Sequence, residues 1–579
     1  MPVETFAKTS AAADRVCFEP REMALRERYL EAALAAIPRI LAAVDRNAFG
    51  PSYGCCDREY WHYRTAAFPS EMYQEAALPL ALVYCHALPR GNWQGDARLA
   101  EAAVAILRFS ARSAHADGSG DDYYPHERAL GATVFSLQAA VEAYRLLELD
   151  DRELRAFLLR RARWVANHDE SGRLTNHHAL AALALWRTGQ LFDDARLREA
   201  ARERVRRVVA WQSSEGWWPE YEGADPGYQT VTIDCLAKLQ REAEFDGLEA
   251  SLRRGVEFCR PFQHLDGGYG GEYGSRGTRH FYPHGMELLA DRNPAAAELA
   301  DGYLRALPTE AAARWDDDRM YVHRVANLLE AYLDFAPRRV VCEGSGQIES
   351  VSTSQFPVAG LYSVRTNAEQ LITSTARGGN FYYCRRSADG CETLNDSGLV
   401  VEFSDGRLAV SQTHEASRDV LFIPDPDNGR LETLVVSGPL HYVRFERATP
   451  LKQAMLHLLA GSLGAAGRTI LRKLLQRRVI AARRPAPILL TRTFQRGAGW
   501  EVHDVVELAE PGVRVARLAF SSDLQAAYTA ATNVYHGGLR QPWHDLGEFV
   551  ELLNRERRLK IVRELATSTV RVAVSSSEA

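Results

Sequence analysis

A recurring unit of about fifty residues limits what the N-terminal part of this chain can become. Turn residues give way to an aromatic or a histidine, then to an apolar helix. This happens at Tyr73 in FPSEMYQEAALPLALVY, Tyr124 in DDYYPHERALGATVFSL, His177 in GRLTNHHALAALALW, Tyr228 in GADPGYQTVTIDCL, His280 in GTRHFYPHGMELLA and His323 in DDRMYVHRVANLLEAYL. The steps between them are 51, 53, 51, 52 and 43 residues. A unit of that length holds two helices and two connections. Six antiparallel pairs closing on themselves make an (α/α)6 toroid, with the more apolar helix of each pair in the inner ring.

The rest of the chain has a different period. From about residue 22 to 335, apolar residues recur at helical spacing between breakers such as DGSGDD and LDGGYGGEYGSRG. After about residue 340, segments such as LVVEFSDGRLAVSQ and EVHDVVELA are short, β-branched and alternating. The expectation is an α+β multidomain protein: a toroid over 1–337, then an antiparallel β-sandwich over 338–579.

Composition agrees with more than one domain, because 579 residues exceed a single hydrophobic core. A net charge of -5 gives no global attraction to nucleic acid. The nine cysteines form no C-x-x-C pair, which argues against a structural zinc site or a disulfide framework. The first residues lack the basic start and apolar core of a secretory signal, and no apolar run reaches the length of a membrane span. The expected location is the cytoplasm.

In a toroid the inner helices run parallel, so their N-termini share one end. Residues fifty positions apart then meet in one cleft, where free N–H groups and dipole ends favour an anion. Each motif also has a plainer explanation. Asn176 suits an N-cap, His177 and His178 a polar surface, and Tyr228 a packing position beside a turn. The recurrence of proton-handling and cationic side chains at one structural place favours a site.

At these residues the sequence resembles the heparinase II/III and alginate lyase group of polysaccharide lyases, which pair a helical toroid with an antiparallel β-sandwich. The family's Asn-His pair at an inner-helix start looks like Asn176-His177, and its catalytic Tyr looks like Tyr228. Its cleft-lining Arg and His residues look like Arg279, His280 and His284. Tyr124 and Arg128 occupy the preceding repeat and are placed in the same cleft, with either His178 or His177 facing it. The resemblance implies cleavage of a uronic-acid-containing glycan by β-elimination. Removal of a uronate C5 proton needs the carboxylate neutralised by amide, imidazolium or guanidinium donors, a base at C5, and an acid for the departing oxygen. Asn176 and an Arg suit the first task, His177 or Tyr228 the second, and Tyr228 the third.

Three rival readings stand beside the lyase. A uronyl C5-epimerase returns the proton to the opposite face. A glycoside hydrolase needs two carboxylates, for which Glu127, Glu220, Glu222 and Asp225 are candidates, with Trp217, Trp218 and Tyr221 stacking on sugar. A non-catalytic glycan-binding protein at a membrane needs neither. No cofactor is expected. Relatives carry a zinc-binding stretch in the β domain. Here GCETLNDSGLVVEF keeps Asn395, Asp396 and Gly398 without the preceding His, and His414 downstream is the one nearby substitute.

Residues 451–485 hold eight Lys/Arg and no Asp/Glu. Ile470, Leu471, Leu474, Leu475, Val479 and Ile480 fall on one helical face, with Arg468, Arg472, Lys473, Arg477 and Arg478 largely elsewhere. Such a helix either packs on the β domain with a solvated basic face or lies on a membrane; an anionic polysaccharide is the other partner its charges suit. The partners expected overall are an anionic glycan and the membrane periphery, and no nucleic acid.

Overall fold

The computed structural model describes residues 20–573 apart from 171, 222, 314–319, 341–350, 389, 417, 425–430, 444–448, 463, 465–466, 468–469, 472–483, 498, 522–542 and 568. Glu222 and most of the expected basic helix, including Arg468, Arg472, Lys473, Leu474, Leu475, Arg477, Arg478, Val479 and Ile480, therefore lie outside the described residues.

The first part is helical. It runs through α1 (Pro20–Leu34), α2 (Ile37–Ala43), α3 (Arg58–Trp61), α4 (Ala77–Cys85), α5 (Ala97–Ser113), α6 (Leu130–Leu146) and α7 (Arg152–Ala166). It continues through α8 (Thr175–Leu191), α9 (Ala195–Trp211), α10 (Pro226–Glu242), α11 (Leu248–Cys259), α12 (His284–Glu287), α13 (Pro294–Ala306) and α14 (Tyr321–Leu333). Two kinds of helix alternate. The even-numbered α6, α8 and α10 are buried on nearly every side, whereas α5, α7, α9, α11 and α13 bury one stripe each. The apolar composition of the first kind leaves it no stable place except the interior. Neighbouring pairs are α4–α6, α6–α8, α8–α10, α10–α12, α12–α14 and α14–α4, so these six follow one another around a closed circuit. α1 packs on α13 and α14 outside it, tied by the Tyr29 hydroxyl donating to Glu287 at 2.8 Å.

The fifth member of the circuit departs from a full helix pair. α12 is one turn, and the residues from Gly277 to Pro283 that precede it belong to no helix or strand. Proline at the N-cap holds the chain out of the helix until His284.

The helices also differ at their starts. Asp96, Asp151, Asp194 and Asn293 cap α5, α7, α9 and α13 with their own side chains. Ala76, Ala129 and Leu174 precede α4, α6 and α8 and offer no side-chain cap. The outer helices α5, α7, α9 and α13 thus satisfy N–H groups locally, while α11 starts on the left-handed Gly247 and the start of α8 depends on a distant part of the chain.

The second part is antiparallel β. A five-strand meander runs Ser352–Phe356, Leu361–Arg365, Glu369–Ser374, Asn380–Ser387 and Gly390–Asp396. Its two faces alternate in use. Leu361, Ile372, Tyr382 and Cys384 pack on the helical core, and Tyr362, Val364, Leu371, Phe381 and Tyr383 pack on Leu434, Val436, Phe494 and Val502 of a larger sheet. That sheet has ten strands among the described residues, with Leu431–Val443, Pro485–Arg496 and Trp500–Leu508 at its centre.

At the junction of the sheets lie two carboxylates and two guanidinium groups. Arg492 donates to Asp504 at 2.6 Å and to Asp396 at 2.8 Å, and Arg563 bridges the same pair. Burial alone raises the Asp396 carboxyl, but Arg492 and Arg563 outweigh it and hold it below its ordinary range. These contacts do not fit the zinc position suggested by Asn395, Asp396 and Gly398. Asp396 already carries two cations, and among the described residues no three His, Cys, Asp or Glu side chains gather as metal ligands. Arg492→Met leaves two buried carboxylates facing one guanidinium. Denaturant unfolding of the β part is expected to show a loss of about 3–5 kcal/mol, against less than about 1 kcal/mol for the exposed Arg517→Met.

Candidate active site

The start of α8 is built by a hairpin from the next repeat. The short strands Pro219–Glu220 and Gly223–Ala224 pair with each other, and Leu174 bridges to Glu220. Thr175 Oγ1 donates to Pro219 O at 2.7 Å, and Tyr221 N to Arg173 O at 2.7 Å. Asn176 is the second helical residue rather than the N-cap, and its backbone N–H donates to Glu220 at 2.9 Å and its Nδ2 to the same carboxyl at 2.7 Å. Glu220 therefore supplies the cap that Leu174 lacks. Burial pushes its carboxyl up to about 8, the Asn176 bonds and nearby Arg276 opposing only in part. At neutral pH it is protonated.

The two adjacent histidines part company, because neighbours on a helix point about 100° apart. His177 turns inward. Its Nδ1 lies 2.9 Å from Glu170 Oε2, and its ring meets the edge of Phe135 on α6 at 5.9 Å. Gly131 makes room for it: a Cβ there would stand 2.6 Å from His177 Cε1. His178 turns outward, 3.0 Å from Arg204 of α9 and edge-on to Trp211. Burial, then the Arg204 charge, bring it down to about 4, so it stays neutral.

α10 begins on Asp225, which accepts from Tyr228 N at 3.0 Å. The same carboxylate accepts from Arg276 N at 2.9 Å and from Thr278. The loop 274–280 is thereby fastened beside Tyr228. Gly227 permits the approach, since a Cβ there would meet Thr278 Oγ1 at 2.3 Å. Tyr228 stands edge-on to His280 at 5.3 Å, and the Arg276 guanidinium lies 5.9 Å from the Tyr228 ring and 4.4 Å over Tyr221. Burial first, then Arg324, His323 and Arg276, hold His280 down to about 3, so it is a neutral imidazole. His280 continues to Tyr282 and on to His323, whose Nδ1 is 2.9 Å from Glu75. His323 meets Phe135 at 5.0 Å, which returns to His177. His177, Tyr228 and His323 are each the third residue of their helix, and all belong to one cluster.

Four other expected site residues are not brought to it. Arg279 is buried in an ion pair with Glu272 at 2.8 Å and faces Tyr382 of the meander. His284 bonds Asp334 at 2.9 Å within the buried charge cluster of Asp234, Lys238 and Glu330. Trp218 is 1% exposed and donates to Val208 O, so its ring anchors the hairpin and is closed to a sugar. His178 is the fourth, as described. Tyr124 and Arg128 lie half-buried on the loop before α6, with Arg128 paired to Asp117.

Arg276 was not among the expected site residues. Three positions before Arg279 in an irregular loop, it has no periodicity to reveal which of the two faces Tyr228. His414 was considered only as a metal ligand; its Nε2 lies 2.4 Å from where a Cβ on Gly223 would stand, so the β part reaches the hairpin 219–224. Arg377 holds that junction, donating to Gly274 O at 2.8 Å and Gln412 O at 3.0 Å. Of the carboxylates suited to a hydrolase, Asp225 serves the α10 cap and Glu127 accepts from Asp122 N and Tyr123 N. Glu222, the remaining candidate beside Glu220, lies outside the described residues.

No protein-family model and no curated protein matches the sequence. Among solved structures, the chain is similar to a chondroitin AC lyase of Streptomyces coelicolor A3 in complex with chondroitin sulphate, at 13% identity and a TM-score of 0.47, covering 88% of this chain and 70% of that one. It is similar to a heparan sulfate lyase of Pedobacter heparinus at 11% identity and a TM-score of 0.36, covering 97% and 88%. A glycoside hydrolase matches at 10% identity and a TM-score of 0.31, covering 65% and 85%.

The raised Glu220 carboxyl ties stability to pH. The folded chain binds a proton that the unfolded chain releases near its usual 4.5. The resulting stabilisation is complete below 4.5 and is lost as pH rises through about 8. Unfolding free energies across that window are expected to fall with pH more steeply in the native chain than in Glu220→Gln. Parallel curves would count against the assignment.

Proposed function

We propose that this chain cleaves a uronic-acid-containing glycan by β-elimination in the cleft where α8, α10 and α14 begin. The observation that carries the reading is that Asn176 and Arg276 both lie beside Glu220, while ring contacts run from His177 through Phe135, His323, Tyr282 and His280 to Tyr228. Arg276 faces the substrate carboxylate and lowers the cost of the enolate-like state. An amide nitrogen carries two hydrogens, and Asn176 gives one to Glu220 and the other to that carboxylate. Because Glu220 is neutral, the floor of the cleft does not repel an anion.

His177 takes the C5 proton. Glu170 holds its Nδ1, which leaves Nε2 as the basic nitrogen. The C5–H electron pair becomes the C4=C5 double bond, the C4–O bond breaks, and the Tyr228 hydroxyl gives its proton to the departing oxygen. No water is consumed. Neutral His280 stands against the Tyr228 ring and fixes its direction, and His414 closes the hairpin side.

Incubation with a panel of uronate-containing glycans in deuterated water tests the reading. The expected product is an unsaturated uronate seen by ultraviolet absorbance, formed at least about 100-fold more slowly by Tyr228→Phe. Deuterium at C5 with inverted configuration and no absorbance would make the chain an epimerase. Undiminished glycan binding by His177→Ala and Tyr228→Phe, with no product even from the native chain, would make it a binding protein. The pH profile gives a separate check. Above about 8 Glu220 ionises and repels the substrate, so activity falls. Glu220→Gln is expected to move that decline to higher pH.

A further inference from the structure

We propose that an inserted helix of the β part docks on the surface of an anionic lipid bilayer, beside the mouth of the cleft. The helix α15 (Pro450–Ser462) interrupts the connection between the paired strands Leu431–Val443 and Pro485–Arg496. It touches the rest of the protein lightly: Ala460 is buried and Leu456 half-buried, while the remaining side chains of residues 451–462 are exposed. Leu451 is 71% exposed, Met455 53%, Leu458 72% and Leu459 44%. Their spacing sets them on one helical face, turned away from Ala460. A monomeric protein seldom leaves four large apolar side chains together in water. Ile470, further along the same insertion, is also exposed.

Charge selects the occupant. Residues 451–485 carry eight Lys/Arg and no Asp/Glu, although the whole chain has a net charge of -5. Lys452 stands exposed on α15 itself. Leucine and methionine side chains enter the acyl boundary while neighbouring cations pair with anionic headgroups. An anionic polysaccharide would engage the cations and leave the leucines in water. α15 has 13 residues, too few to cross a bilayer, so the proposed contact is interfacial.

The position of α15 adds a consequence. A Cβ on Gly461 would stand 3.4 Å from His126, on the loop that carries Tyr124 and Arg128. Tyr123 on that loop is 62% exposed, an aromatic suited to the headgroup level. Docking through α15 and Tyr123 sets this rim of the helical part against the bilayer.

The test uses the full chain and vesicle flotation, and does not depend on the lyase reading. The native chain is expected to float with vesicles of phosphatidylcholine and phosphatidylglycerol, to stay behind with phosphatidylcholine alone, and to bind less as salt rises. The triple substitution Leu451→Gln, Met455→Gln, Leu458→Gln, at exposed positions, is expected to weaken binding at least about tenfold. Lys452→Glu is expected to weaken it about fivefold. Failure of the native chain to float with anionic vesicles would overturn the proposal, as would equal flotation of the triple variant. A native dimer that the triple variant dissociates, with no vesicle binding, would assign the face to a second copy of the chain instead.

Discussion

The site depends on one buried carboxylate. Asp225 caps α10 through Tyr228 N and receives Arg276 N and both polar groups of Thr278. It therefore fixes the tyrosine on its helix and the arginine on its loop from a single point. Glycines surround it for the same reason, since a Cβ on Gly274 would stand 2.5 Å from its Oδ2. A bulkier residue there would push the loop away, and Arg276 and His280 would leave Tyr228 with it. The tyrosine and the arginine are thus held in place before any ligand arrives, the preorganisation that the proposed elimination requires.

Around that point, helix ends are treated in two ways. The outer helices α5, α7, α9 and α13 are closed by their own Asp or Asn caps. α8 is closed by Glu220 from the following repeat. A remote cap links the repeats rigidly, and it also buries a carboxyl where no strong counter-charge balances it. The protonated Glu220 follows from that location. In the β part the opposite solution appears. Asp396 and Asp504 are equally buried, yet two guanidinium groups keep Asp396 charged.

The meander joins the two parts by using both of its faces. One set of alternate residues packs on the helices and the other on the larger sheet. Arg377 and His414 then extend the β part to the hairpin and loop that shape the cleft. The β part thus contributes to the site, a role that the helical repeat alone does not suggest.

The sequence by itself determined the helical first part, the β second part and the helix starts where polar residues meet, because periodicity and turn residues are local properties. His177, Tyr228 and His280 were legible in this way, since each follows a breaker and precedes an apolar run. Tertiary structure alone decided which side chains face the cleft. His177 and His178 are equivalent in sequence, yet Gly131 receives one and Arg204 the other. Arg276 and Arg279 are equally basic, yet Glu272 captures one and the Tyr221–Tyr228 surface the other. Trp218 reads as a sugar platform until its burial is seen, and Asn176 reads as a cap until Glu220 takes that role. In each pair the outcome rests on a partner that the tertiary fold selects, whether 7 residues away, as Glu272 is from Arg279, or 44 away, as Glu220 is from Asn176, and no local pattern carries that information.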